Sequence, residues 1–215
     1  YTGMQSERAS IKRLVNKKSE VSTHFLINRL GNTTSMVDVT NIAWHAGRSK
    51  WKNFVNLNHQ SIGIELVNKG HQFGYENFSK KQISKLTLLC KYLIKKYKIK
   101  KSNILGHSDI APLRKKDPGE KFPWQFLAKK KIGYWYNVNK KNIKNKKLSK
   151  NVVRNVFFNN LHKIGYRYFN KKKSSKNDSK VIKAFQRRFR QDKVDGLIDQ
   201  KCLEISNYLA NSLKY

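Results

Sequence analysis

Two residues ten positions apart, His107 and Asp117, sit on one proline-stiffened segment, G-H-S-D-I-A-P-L-R-K-K-D-P-G-E-K-F-P-W (106–124). A neutral imidazole and a carboxylate, joined by one further histidine, form the mixed nitrogen and oxygen set that holds a catalytic Zn²⁺ with one position left for water. Lys115 lies two residues before Asp117, close enough for its ammonium to reach a substrate at such a metal. A second acid, Glu65, falls in S-I-G-I-E-L-V (61–67), where Ile62, Ile64 and Leu66 share one face of a strand while Gly63 and Glu65 share the other. A carboxylate beside a glycine on a strand face has room for something to approach. The same residues also admit a plain structural reading, in which His107 caps a strand, Asp117-Pro118-Gly119 is an ordinary turn and Lys115 is one lysine among 37.

Several elements have to position these groups. Val21–Ile27 is rich in β-branched and aromatic residues, the stretch at 29–32 is a turn, and residues 36–39 are expected to return as a hairpin partner. Residues 41–60 read as a loop carrying Trp44, His45 and Trp51. Ser79 opens the clearest helix, with Ser79 and Gln82 in capping-box spacing. Ile83, Leu86, Leu89, Leu93 and Tyr97 recur at its helical period. Residues 103–106 are expected as a short buried strand before the His107 loop. The order strand, strand, helix, strand predicts an α/β class with a mixed central sheet flanked by helices.

Beyond residue 136 the character changes. Residues 137–150 (N-V-N-K-K-N-I-K-N-K-K-L-S-K) are nearly devoid of apolar side chains and read as a self-repelling linker. Residues 151–215 carry three apolar stripes, around Val152–Leu161, Val181–Phe189 and Cys202–Leu209, and predict a small three-helix domain. The expected organisation is a catalytic domain over 1–136, a basic linker over 137–150 and a helical domain over 151–215.

The net charge of +34 over 215 residues raises nucleic acid as a partner, but the excess divides almost evenly either side of residue 136. It comes from 37 Lys against 10 Arg, alongside 22 Asn, which describes a solvated basic surface rather than a base-reading face. A nucleic-acid binder would need that charge gathered on one element. No run approaches the roughly 18 apolar residues of a spanning helix. The polar segment 1–10 holds no export signal and does not begin with Met, so the natural start is expected upstream. Cys90 and Cys202, far apart in apolar patterns, read as small buried hydrophobes.

The segments V-S-T-H-F-L-I (21–27), A-W-H-A-G (43–47), N-H-Q-S-I-G-I-E-L-V-N (58–68) and L-G-H-S-D-I-A-P-L-R-K-K-D-P-G-E-K-F-P-W (105–124) resemble, in order, the zinc-dependent N-acetylmuramoyl-L-alanine amidases of type 2, which share a fold with peptidoglycan recognition proteins. The resemblance implies that His107 and Asp117 ligate Zn²⁺, that Glu65 is the catalytic carboxylate and that Lys115 stabilises the oxyanion. It also puts Trp44, His45 and Asn58 at the substrate cleft. His24 is expected in a packing or hydrogen-bonding role, while Trp51 and Trp124 stay open between core and cleft. In that family the first zinc-ligating histidine ends a strand directly before the position of Tyr1, so this ligand and the first strand lie outside the chain as it stands. Residues 151–213, including V-I-K-A-F-Q-R-R-F-R (181–190), resemble the peptidoglycan-binding domain appended to some of these enzymes.

What the resemblance implies is a monomeric bacterial hydrolase that cuts the amide between N-acetylmuramic acid and L-alanine. Its partners would be peptidoglycan or anhydro-muropeptides, not nucleic acid. The expected compartment is the periplasm or cell envelope, with a lipid anchor as one means of attachment, and the cytoplasm as the alternative. A non-catalytic peptidoglycan-binding module is the competing reading, since one ligand is absent, and a basic nucleic-acid-binding protein stands behind it.

Overall fold

The computed structural model describes residues 1–137 and 149–212. In chain order the elements are α1 (Glu7–Val15), β1 (Phe25–Ile27), β2 (Thr33–Ser35), β3 (Lys50–Trp51), β4 (Phe54–Val55), β5 (Ile64–Leu66), α2 (Lys80–Tyr97), α3 (His107–Ile110), α4 (Trp124–Lys129), α5 (Lys150–Ile164), α6 (Asp178–Phe189) and α7 (Gln200–Ser212). They divide into two compact units. The first holds Tyr1–Ser49, Val55–Ile104 and Lys121–Pro123, and the second Lys50–Phe54, Leu105–Glu120 and Trp124–Tyr215. Of the expected linker, residues 138–148 lie outside the described residues.

The first unit is built on a mixed sheet in the order β2-β1-β5, antiparallel between β1 and β2 and parallel between β1 and β5. The α/β class with a mixed sheet expected from the sequence is therefore what forms. The register sets Glu65 opposite Leu26. Along the other side of β5, the amide of Thr2 donates to Leu66 O at 2.9 Å and that of Gly3 to Asn68 O at 3.1 Å. That side of β5 is thus partly paired, which limits its hazard as a template for other chains.

The return strand comes earlier than expected, at Thr33–Ser35 rather than 36–39. The Asn28 side chain explains the shift. Its Oδ1 accepts from the amides of Leu30 (3.0 Å) and Asn32 (2.9 Å), closing the turn within five residues, with Gly31 at φ +88°. Helix α2 begins where its cap requires, Ser79 Oγ accepting from Gln82 N at 3.1 Å. The second half of the expected capping box does not form. The fully buried Gln82 instead sends Nε2 to Ile27 O (3.0 Å) and Val67 O (3.1 Å), pinning the helix onto β1 and β5. No helix among the described residues is long and apolar enough to cross a membrane.

In the second unit the three C-terminal helices lie where their apolar stripes put them. Their core is aromatic: Phe157, Phe158, Phe185 and Phe189 are essentially inaccessible, and Phe157 meets Phe185 edge to face at 5.2 Å. Trp51 is 1% exposed and packs across Tyr166 at 5.0 Å. A Cβ on Gly165, which ends α5 at φ +139°, would strike the Trp51 indole, so glycine is required there on two counts. The strand expected at 103–106 is absent. Residues Lys101–Asn103 form a 3-10 turn, and His107 opens α3 because the Asp109 carboxylate folds back onto the Gly106 amide at 2.8 Å, drawing the chain into a helical turn. Cys202 is buried as expected while Cys90 is only half-buried, and desolvation pushes both thiols up to about 12, in keeping with inert packing roles.

Candidate active site

The residues singled out in the sequence fall in two groups, one in each unit. In the first unit Glu65 projects from β5. Its Oε2 is buried and forms no hydrogen bond, and the Tyr1 nitrogen lies 3.3 Å from it. A buried carboxylate oxygen that makes no hydrogen bond costs free energy even with this nitrogen nearby, so its lone pairs suit an incoming donor such as a reacting water. Any residue joined to the Tyr1 nitrogen emerges beside this carboxylate. Tyr1 is held in turn by His71, whose Nδ1 is 2.6 Å from the phenol oxygen, and His71 stacks on Tyr75 at 4.3 Å.

The room seen beside Glu65 at Gly63 is taken, and the structure assigns it to His45. A side chain at Gly63 would overlap the His45 ring, with a Cβ only 2.6 Å from His45 Cβ. His45 is further set by Nδ1 to Ala43 O (2.9 Å) and Nε2 to Ser61 Oγ (2.9 Å). Asn58 holds the same loop, its Oδ1 accepting from Ala46 N (2.7 Å) and Gly47 N (3.2 Å). Trp44 next to it is 52% exposed. His24 is buried in a hydrogen-bonding role: Nε2 donates to Asn41 O at 3.1 Å and Nδ1 accepts from Gly63 N at 2.9 Å. Gly63→Ala is expected to destabilise the protein by about 1–3 kcal/mol through overpacking against His45, measured as a lower urea midpoint with unchanged slope. An unchanged midpoint would show that the ring moves aside freely.

In the second unit His107 and Asp117 come together, Nδ1 to Oδ2 at 3.1 Å, both largely buried. Arg114 Nη2 lies 3.3 Å from His107 Nε2; since guanidinium can only donate, Nε2 accepts and Nδ1 carries the proton given to Asp117. Burial pushes the Asp117 carboxyl up, but the adjacent His107 and the nearby Lys115 charge more than offset it and hold the group well below the ordinary carboxylate range. The carboxylate therefore stays ionised, as a metal ligand must. The pair also fits zinc in spacing, because tetrahedral ligands about 2.0–2.1 Å from the metal lie roughly 3.3 Å apart. Among the described residues no third His, Cys, Asp or Glu completes a cluster with them. Lys115 is half-buried on the same loop. Trp124 and Trp51, open between cleft and core, are both core residues at 5% and 1% exposure.

Residues 1–120 match the Amidase_2 family, described as N-acetylmuramoyl-L-alanine amidase. The chain belongs to this family. It is similar to the N-acetylmuramoyl-L-alanine amidase AmiD of Escherichia coli K12, 41% identical over 139 residues, which cover 59% of this chain and 50% of that protein. The structure of E. coli AmiD in complex with the substrate anhydro-N-acetylmuramic acid-L-Ala-D-gamma-Glu-L-Lys aligns at a TM-score of 0.86 and 31% identity, covering 99% of this chain and 87% of that one. AmpDH3 from Pseudomonas aeruginosa, in complex with anhydromuramic pentapeptide, aligns at 0.83 and 28% identity, covering 99% and 89%. The chain spans about half the length of the curated relatives it matches. Membership in Amidase_2 rests on the first 120 residues, which contain Glu65, His107, Lys115 and Asp117.

One part of the second unit had no signal in the sequence. Asp109, Tyr166 and Arg188 are joined in a buried cluster although they are 57 and 79 residues apart. Asp109 reads as a loop residue and Arg188 as one of several bases, and nothing in either local pattern reveals the other.

Proposed function

We propose that the chain hydrolyses the amide between the lactyl group of N-acetylmuramic acid and the L-alanine of a muropeptide. The observation that carries this reading is the buried Oε2 of Glu65, which makes no hydrogen bond, in a member of Amidase_2. His107 and Asp117 would hold Zn²⁺, with a histidine joined to Tyr1 as third protein ligand. When bound, the ion polarises the scissile carbonyl and acidifies water. Glu65 takes the proton of the attacking water at Oε2 and passes it to the leaving amine. Lys115 places its ammonium against the developing oxyanion, a kind of contribution worth several kcal/mol. The ligands named for E. coli AmiD and for AmpDH3 favour anhydro-muropeptides as substrate.

The C-terminal helices would bind peptidoglycan, and the cell envelope is the compartment that suits such a domain. The diffuse positive charge suits an acidic substrate and predicts weaker attraction as salt rises. Retention of Glu65, Lys115 and the His107–Asp117 pair favours catalysis over a pure binding module. The test is turnover of anhydro-N-acetylmuramyl tetrapeptide, followed by chromatography, with the chain carrying a histidine joined to Tyr1. Activity should vanish with a chelator and return with Zn²⁺. Asp117→Asn should weaken zinc binding by more than the roughly 10- to 100-fold typical of outer-shell changes. Muropeptide binding without any release of the stem peptide would sink the reading in favour of the binding module.

A further inference from the structure

The turn that carries His107 is built around a carboxylate that takes no part in the proposed reaction. Asp109, two residues on, is 1% exposed and uses both oxygens. Oδ2 accepts from Gly106 N at 2.8 Å and from Arg188 Nη1 at 2.5 Å, and Oδ1 accepts from the Tyr166 hydroxyl at 2.6 Å. Arg188 on α6 is equally buried, its guanidinium 4.1 Å from the Trp124 ring centre. A buried ion pair recovers its desolvation cost only when further hydrogen bonds satisfy it, and apolar residues of similar volume commonly serve packing as well or better. Its retention under a ligand-bearing turn calls for another role.

The route from this carboxylate to both expected ligands is short. Asp109 fixes the amide of Gly106, the residue before His107, and its own amide closes the turn onto Gly106 O at 3.0 Å. Ser108, between His107 and Asp109, donates its amide to Asp117 O at 2.8 Å, tying the backbone of the second ligand to the same turn. Ala111 N binds His107 O at 2.9 Å. We propose that Asp109, clamped by Arg188 and Tyr166, is a positioning residue that holds His107 and Asp117 at metal-binding spacing, so that the C-terminal segment supplying the clamp sets the geometry of the ligand pair. This rests on the amidase reading only in taking His107 and Asp117 as ligands.

Tyr166→Phe removes one hydrogen bond and little volume, and Arg188→Lys keeps the charge but loses the fork. Each is compared, in the full chain, with Ile205→Val, a core trim on α7 that lowers the melting temperature without touching the clamp. In metal-free protein, Tyr166→Phe and Arg188→Lys should speed hydrogen exchange at the Ser108 amide at least about 10-fold while Leu26 and Leu66 in the sheet keep their rates. Zinc affinity, read by competition with a chromophoric chelator, should fall about 10- to 100-fold, and kcat should drop with KM unchanged. Ile205→Val should move neither Ser108 exchange nor zinc affinity. Unchanged Ser108 exchange in both clamp variants, or an equal change in Ile205→Val, overturns the proposal. If the parent protein takes up no zinc, the amidase reading fails while Ser108 exchange still decides the positioning role.

Discussion

Glu65→Gln is expected to lower kcat by about 10²- to 10⁴-fold, the range that a positioned acid–base group contributes, with zinc affinity and folding stability nearly unchanged. Glutamine matches glutamate in volume and reach, so the strand β5 and its pairing opposite Leu26 are undisturbed. What changes is the atom at the Oε2 position, which is buried, makes no hydrogen bond and lies 3.3 Å from the Tyr1 nitrogen. A carboxylate oxygen there can take a proton from water and return it to an amine, whereas an amide can do neither. Because the loss falls on the chemical step, kcat and kcat/KM should fall together. Steady-state kinetics on an anhydro-muropeptide at saturating Zn²⁺, beside a zinc titration of each protein, separates the effects. Activity within about 2-fold of the parent would remove Glu65 as the base; a parallel loss of zinc would make it a metal-site residue instead.

The second large effect falls on stability. Arg188→Met should cost about 3–5 kcal/mol, because it strands the Asp109 carboxylate in a site that is 1% exposed without its cation. Among the described residues, Gly106 N and the Tyr166 hydroxyl then remain as donors to that charge. The melting temperature should drop by on the order of 10 °C for a chain of this size. The double variant Arg188→Met with Asp109→Asn should recover much of the loss, since neither residue then carries a buried charge, and the coupling is read from the mutant cycle. Additive losses would mean that the two residues pack independently and that their ion pair contributes nothing of its own. The double variant also separates stability from positioning: a refolded protein with restored melting temperature but weak zinc binding would argue that the clamp serves the ligand pair.

Helix α2 was legible because its stripe repeats every three to four residues and its Ser79 cap acts within a single turn. The contact between His107 and Asp117 was legible because a short segment stiffened by prolines joins the two residues. The return strand and the 103–106 segment were misplaced for a related reason. Single side chains, Asn28 and Asp109, redirect the backbone by capping amides, and apolar periodicity does not register such caps.

By itself, then, the sequence determined the α/β class, the family, the helix period and the identity of the groups able to do chemistry. These follow from residue types, local spacings and the order of the segments along the chain. The tertiary structure alone decided what the space at Gly63 is for, which tryptophans are buried and which acid the Arg188 guanidinium neutralises. Those outcomes depend on residues brought together from 18 to 115 positions apart. Burial and pairing are properties of the packed chain, and no local pattern carries the identity of a distant partner.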